Sequence, residues 1–538
     1  MATAFTANPD ADIPQTGVTR YYDFTIARGQ IAPDGVERQA LLINGQFPGP
    51  MIEANWGDFI QVTVTNNLAD QGTSLHCFKF QVGHVVHMAQ PTGTGSFKER
   101  HHTTMAFHRL AFRASQFGTT WYHAHYSAQY SGGVVGPLIV HGPSSRSCDI
   151  DLGPVMLSDW YHKPYEAIVE NVVGTDIASL PPHSDSNLIN GKNSYDCSLI
   201  TNGQVCHPNA PLAQFKFESG KTHRLRLINS GADGVQKFSI DNHVMTIISQ
   251  DFIDIQPYQA DVVTLAVGQR TDILVEATGN PTDAVFMRSI LVGGAPCGLA
   301  DQPSALAIIF YEDADQTILP TTTSGVDTTR CTNDDLSLTI PAFPMVPGPA
   351  DVVANIAINL TINETGHAVW TMNGQTFRAN YNNPILLLAK LGNISYPTHP
   401  EWNVYNFGEN KTIRIVFQNL IPFAHPMHLH GHNMFLLHEG PGAWDGVTIT
   451  NPDNPARRDT HLLQALGHFA MQITADNPGV WPFHCHIAWH LSGGLYINVM
   501  ERPADISEME IPDVMAQTCR DWAAYTNTTV VSQIDAGP

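Results

Sequence analysis

The sequence predicts an all-β fold of three related sandwich or barrel domains, and three observations carry that prediction. Apolar residues fall at every second position in three short runs, 59–65, 221–228 and 411–417. That is the period of a half-buried strand. Between such runs, 42 Gly and 36 Pro punctuate the chain, as in repeated sandwiches or barrels. The three runs also resemble one another, and each ends near an asparagine: Asn67, Asn229 and Asn419. They start at 59, 221 and 411, spacings of 162 and 190 residues, so the chain reads as three domains. We expect boundaries giving residues 1–145, 146–340 and 341–538. The joints are the Gly-Pro-Ser-Ser segment at 142–145 and the Thr-rich, Pro-ended stretch at 320–350.

Composition removes several function classes. Lys+Arg is 27 against 49 Asp+Glu, a net charge of −22, which argues against a nucleic-acid partner. No run of eighteen apolar residues offers a membrane span. Hydrophobic residues at 43% suffice for large cores. Five Asn-x-Ser/Thr sequons, at Asn359, Asn363, Asn393, Asn410 and Asn527, point to a glycosylated, secreted protein. The first ten residues hold no charged n-region and no apolar h-region, so a signal peptide would lie outside this sequence. The eight cysteines fit a large protein with a few staples, and Cys197 and Cys206 are close enough to pair. The anomaly is histidine: 26 residues, almost as many as Lys and Arg together. Metal binding is the first explanation to test.

The histidines sit in an internal repeat. A shift of 361 lays His123 on His484, His125 on His486, and Ser131-Gly-Gly on Ser492-Gly-Gly. A shift of 352 lays His76 on His428. The first and third domains therefore carry related histidines, and only the third adds Cys485 and His490. On a strand, residues two apart share a face. His484 and His486 project together, Cys485 projects to the other side, and His490 can return to the cysteine side in a turn or helix start. His428 and His430 likewise share a face, with His425 directed elsewhere. One thiolate with two imidazoles is the trigonal set of an electron-transfer copper. Imidazole clusters without carboxylates suit copper as well. Zinc is the rival, but structural zinc sites prefer paired cysteines, which are missing here. His432 and His438 have no ligand role in this scheme.

These motifs resemble the multicopper oxidases, and among them the ascomycete-type laccases. The likeness runs from Thr16-Gly-Val-Thr-Arg and Asn44-Gly-Gln-Phe-Pro-Gly-Pro through Trp121-Tyr-His-Ala-His to His425-Pro-Met-His-Leu-His-Gly-His and His484-Cys-His-Ile-Ala-Trp-His. It covers nearly the whole chain outside 77–110. The resemblance implies three cupredoxin-like Greek-key domains and four coppers. It places His425, Cys485 and His490 on a type 1 copper, and His76 and His428 on type 2. His123, His125, His430, His484 and His486 fall on type 3. Electrons would pass from a phenol or aromatic amine through Cys485 to His484 and His486, and dioxygen would be reduced to water. Leu495 stands ten residues after the cysteine, where many blue-copper sites hold a weak axial methionine. Its lack of a donor should favour Cu(I) and raise the potential.

The resemblance further assigns Asp233, in the loop after the second repeated strand, to the phenol pocket, where it would accept the phenolic proton. It pairs Cys297 with Cys331 and likens Asp535-Ala-Gly-Pro538 to a C-terminal plug. Seven cysteines remain when Cys485 is set aside, so at least one is unpaired. No partner beyond phenolic or aromatic amine substrate and O2 is implied, and the protein is expected to be a monomer.

One segment departs from the family. The internal repeat and the family pattern both call for a second histidine two residues after His76, and Phe78 stands there. Across 77–110 the likeness stops and restarts cleanly, as a shifted reading frame or misjudged splice would produce. His84, His87, His101, His102 and His108 fall in this stretch, and none has the i, i+2 relation to His76. The expected function is a laccase-like oxidase with one type 3 ligand missing. The alternatives are another multicopper oxidase (a ferroxidase, ascorbate oxidase or bilirubin oxidase) and a copper-binding protein with an impaired trinuclear site.

Overall fold

The computed structural model describes residues 13–68, 71–77, 86–88, 106–177, 180–292, 297–510, 517, 520, 522–524 and 533–537. Their strands form six sheets, two from each third of the chain, of four and five, six and five, and six and five strands. The predicted strands are present with each end within two residues of its expected place, as Phe59–Asn66, Thr222–Asn229 and Thr412–Asn419. Ile60, Val62 and Val64 are buried along the first, as the alternation requires. Each of the three runs parallel to a neighbouring strand: Thr19–Ile31, Ile150–Trp160 and Val352–Ile362 respectively. No strand lies between Phe310 and Val352, the stretch read as a joint.

The terminal asparagines mark one repeated device, and the structure corrects one of them. Asn66, not Asn67, is the counterpart of Asn229 and Asn419. In register, Asn66 stands opposite Ile26, Asn229 opposite Leu157 and Asn419 opposite Ile358. Each side-chain oxygen accepts the backbone N–H two residues on, from Leu68, Gly231 and Ile421. Each amide also donates to a backbone carbonyl of the following turn, Gln71 O, Gly234 O and Phe423 O, and those of Asn229 and Asn419 reach a second carbonyl far along the chain, Leu265 O and Gln464 O. The sequence register missed this because the first repeat has one extra residue between its asparagine and His76.

The middle third has its own core, including Leu225, Leu227, Phe238, Ile273, Met287 and Ile309. The first and third share one continuous core, in which Trp121, Tyr122 and Leu138 join Met427, Leu429 and Phe483. That shared core brings the two histidine-bearing regions together. Helices are short, and none among the described residues is long and apolar enough to cross a membrane.

Candidate metal centres

The histidine-bearing strands pair as the repeat requires. His76 on Thr73–Cys77 lies opposite His123 on Gly118–His123. His428 on His425–Leu429 lies opposite His484 on Gly479–Cys485. These strands end where the two regions meet, so imidazoles from both converge. His76, His428 and His430 bring ring nitrogens within 4.8 Å of one another, and so do His125, His430 and His484. His484 Nε2 is 3.0 Å from His430 Nε2 and 3.4 Å from His125 Nε2. His123 and His486 face each other edge to face, ring centroids 5.3 Å apart. Phe78, where the repeat calls for a second histidine, lies outside the described residues, as do His84, His101 and His102. The backbone carrying His87 and His108 lies in strands Val86–Met88 and Ala106–Arg113.

Local hydrogen bonds decide which nitrogen each ring offers. The Nδ1–H groups of His123, His428 and His484 donate to the carbonyls of Ala124, Asp459 and Cys485, at 2.7, 2.9 and 2.9 Å. A ring held this way keeps its proton on Nδ1 and presents the Nε2 lone pair. Burial holds the rings neutral, lowering His123 to about 3 and His484 to about 4, and putting His76, His428, His430 and His486 well below the usual imidazole range. Neutral, convergent, carboxylate-free imidazoles fit a copper cluster.

On the opposite side of the same strand, Cys485 meets His425 and His490. Its Sγ is 3.7 Å from His425 Nδ1 and 3.5 Å from His490 Nδ1, and those two nitrogens are 3.1 Å apart. His490 arrives on the short helix Ala488–Ser492. Burial pushes the Cys485 thiol well up and His425 down to about 3. A thiolate would therefore form there only against a bound cation, and a soft or borderline cation would suit this donor set. Trp370, which sequence reading did not single out, packs on both rings, 4.1 Å from His490 and 5.0 Å from His425 between centroids. Leu495 is fully buried, and its carbonyl accepts the Cys485 N–H.

Asp233 lies in a loop locked by Asp159, whose carboxylate accepts the N–H groups of Ala232, Asp233 and Gly234 at 2.6–2.8 Å. Ala488 N–H donates to Ala232 O at 2.8 Å, tying this loop to the helix that carries His490. Asp233 Oδ2 is buried with no hydrogen-bond partner. Burial, then the charge of Asp159, raises the Asp233 carboxyl to about 8. Asp159 was not foreseen, because nothing in its local sequence marks an aspartate as a loop anchor. His432, left without a ligand role, donates to His430 O and pairs with Glu501 at 3.1 Å; His438 contacts His468 at 3.0 Å. Cys197–Cys206 and Cys297–Cys331 form disulfides, and among the described residues Cys77, Cys148 and Cys485 are free. Near the C-terminus, Ser127 Oγ donates to Asp535 Oδ2 at 2.5 Å and Ala536 N–H to Ser492 O.

Comparison with known proteins agrees with this geometry. Multicopper oxidase family models match residues 25–145, 151–314 and 359–505. Laccase-2 of Podospora anserina is 36% identical over 100% of this chain and 88% of its own. Laccase-2 of Botryotinia fuckeliana is 33% identical over 97% and 89%. The crystal structure of the laccase from Botrytis aclada superposes with a TM-score of 0.88 at 30% identity, covering 99% of this chain and 97% of that one.

Proposed function

The chain belongs to the multicopper oxidase family as a laccase-like oxidoreductase, and we propose that it couples one-electron oxidation of phenols or aromatic amines to reduction of dioxygen to water. The observation that carries this reading is the strand Gly479–Cys485 with its continuation, which presents Cys485 to His425 and His490 on one side, and His484 to His125 and His430, with His486 beside His123, on the other. Copper bound at the two sites supplies the one-electron exchange and the four-electron reduction of O2. We assign His425, Cys485 and His490 to type 1, His76 and His428 to type 2, and His123, His125, His430, His484 and His486 to type 3. Leu495, which carries no donor atom, would stand where a weak axial ligand is otherwise found.

The chain's own residues perform the remaining tasks. The shortest covalent route between the sites is the backbone of Cys485 with its neighbours His484 and His486. The shared core keeps the imidazoles dry and neutral, so no proton competes for their lone pairs. Asp233 accepts the phenolic proton as the electron leaves. The two disulfides and the exposed sequons Asn363 and Asn393 support a secreted, glycosylated chain. The six sheets, two in each third of the chain, support domains of 1–145, 146–340 and 341–538; the net charge of −22 argues against a nucleic-acid partner, and we read the protein as a monomer.

Phe78 favours a second reading for one position. With phenylalanine in place of the histidine that the repeat calls for, the trinuclear site would load incompletely. The test is metal analysis of the purified protein with visible and electron paramagnetic resonance (EPR) spectra. Copper near four per chain with a 600-nm band and oxidation of 2,6-dimethoxyphenol is the expected result for a complete oxidase. A blue band with one copper and no oxygen uptake identifies an impaired cluster.

A further inference from the structure

Arg270, in the middle third of the chain, has none of the assigned copper ligands beside it in sequence, yet its side chain reaches into both regions that carry them. It opens strand Arg270–Glu276 and is fully buried. Its Nη1 and Nη2 donate to the two Asp459 carboxylate oxygens at 2.6 and 2.7 Å. Its Nε donates to Thr119 O at 3.2 Å, on the strand that ends in His123. Nη1 also donates to Gly268 O at 3.2 Å and lies 3.4 Å from Asp251 Oδ1.

The far end of this clamp is the imidazole of His428. The carbonyl of Asp459 accepts the His428 Nδ1–H at 2.9 Å. Thr460 Oγ1 donates to Asp459 Oδ1 at 2.9 Å and lies 3.0 Å from the same His428 nitrogen. The peptide between them is gripped from below. Asp251 accepts the N–H groups of Asp459 and Thr460 at 3.2 and 3.4 Å and pairs with Arg458. Gln269 donates to Thr460 O at 3.1 Å. On the neighbouring residue Gly268, a Cβ would lie 2.8 Å from the His486 ring. Buried ion pairs give little net stability, because desolvation offsets their attraction, so one placed here is better explained by position than by stability.

We propose that Arg270 is a positioning residue for the trinuclear site. Through Asp459 and Thr460 it fixes the tautomer and aim of His428 while anchoring the strand of His123. This inference rests on the functional reading above. Loss of an outer hydrogen-bond partner typically weakens metal affinity roughly 10–100-fold, and the loss should fall on type 2 copper and spare type 1.

The test compares the copper-loaded parent with R270M, R270K and T460V. Type 2 EPR intensity and the 600-nm band are followed while EDTA competes for copper. In R270M, type 2 copper should be lost at roughly 10–100-fold lower chelator concentration, with the 600-nm band per chain unchanged and R270K intermediate. T460V should alter the type 2 hyperfine splitting at an unchanged melting temperature. Equal loss of both signals in R270M would mark a merely structural role and overturn the proposal, as would type 2 retention equal to the parent. Should R270M not fold, T460V decides, and an unchanged hyperfine splitting overturns it. A parent with no type 2 signal overturns the functional reading itself, and the inference with it.

Discussion

Cys485 illustrates how far one residue's place on a strand can be read from sequence. The alternation of side chains alone separates it from His484 and His486, and the structure keeps them on opposite faces, with Cys485 among His425 and His490. Two predictions belong at this scale. Leu495 is fully buried and its carbonyl accepts the Cys485 N–H; with its side chain at the axial position proposed above, L495M should lower the type 1 potential in a redox titration, and an unchanged potential would exclude the side chain from that position. Asp233 has its carboxyl raised to about 8 by burial and by Asp159. Only its ionised form can take a proton, so kcat/KM for a phenol should climb with pH toward 8. D233N should flatten that climb and cost about 10²–10⁴-fold for phenols, yet leave oxidation of ferrocyanide, which has no proton to give, unaffected. Equal losses with both donors would remove Asp233 from proton transfer.

The strands and the equivalence of His76 with His428 and of His123 with His484 were legible because period and repeat survive in sequence. What was not legible is anything reached across the fold. Asp159 is 73 residues from the Ala232 N–H it binds, and Trp370 is far from His490 along the chain. The asparagine register slipped by one because a loop insertion is invisible to pattern matching until the partner strand is known. Asn419 ends its strand with its amide spanning two carbonyls. Asn419→Ala leaves those groups buried without their partner and should cost about 1–3 kcal/mol, read as a shifted urea midpoint. A change below a few tenths would mean that the turn holds without it.

Across the whole molecule, the histidine excess has a thermodynamic consequence. Eight site imidazoles, His76, His123, His425, His428, His430, His484, His486 and His490, have pKa values lowered by burial. A folded-state value below the unfolded one gives stability that is present above about 6.5 and lost as pH falls through the folded value. Five carboxyls raised by burial, Asp159, Asp233, Asp254, Asp334 and Asp535, act oppositely, losing stability as pH rises. The imidazoles outnumber them. Copper-free protein should therefore lose stability between about pH 6.5 and 4.5, each excess imidazole adding about 1.4 kcal/mol per pH unit, seen as a falling urea midpoint. A flat midpoint over that range would mean the histidines are not buried neutral. Bound copper should suppress this loss, since it binds only the native arrangement.

The central claim is that one short strand joins a type 1 site to an oxygen-reducing cluster, and single-turnover spectroscopy tests it most directly. Protein reduced by 2,6-dimethoxyphenol and then exposed to O2 should regain its 600-nm band, with oxygen consumed in proportion to electrons stored. A band that bleaches with the phenol and does not return under O2, in protein carrying full copper, would contradict it.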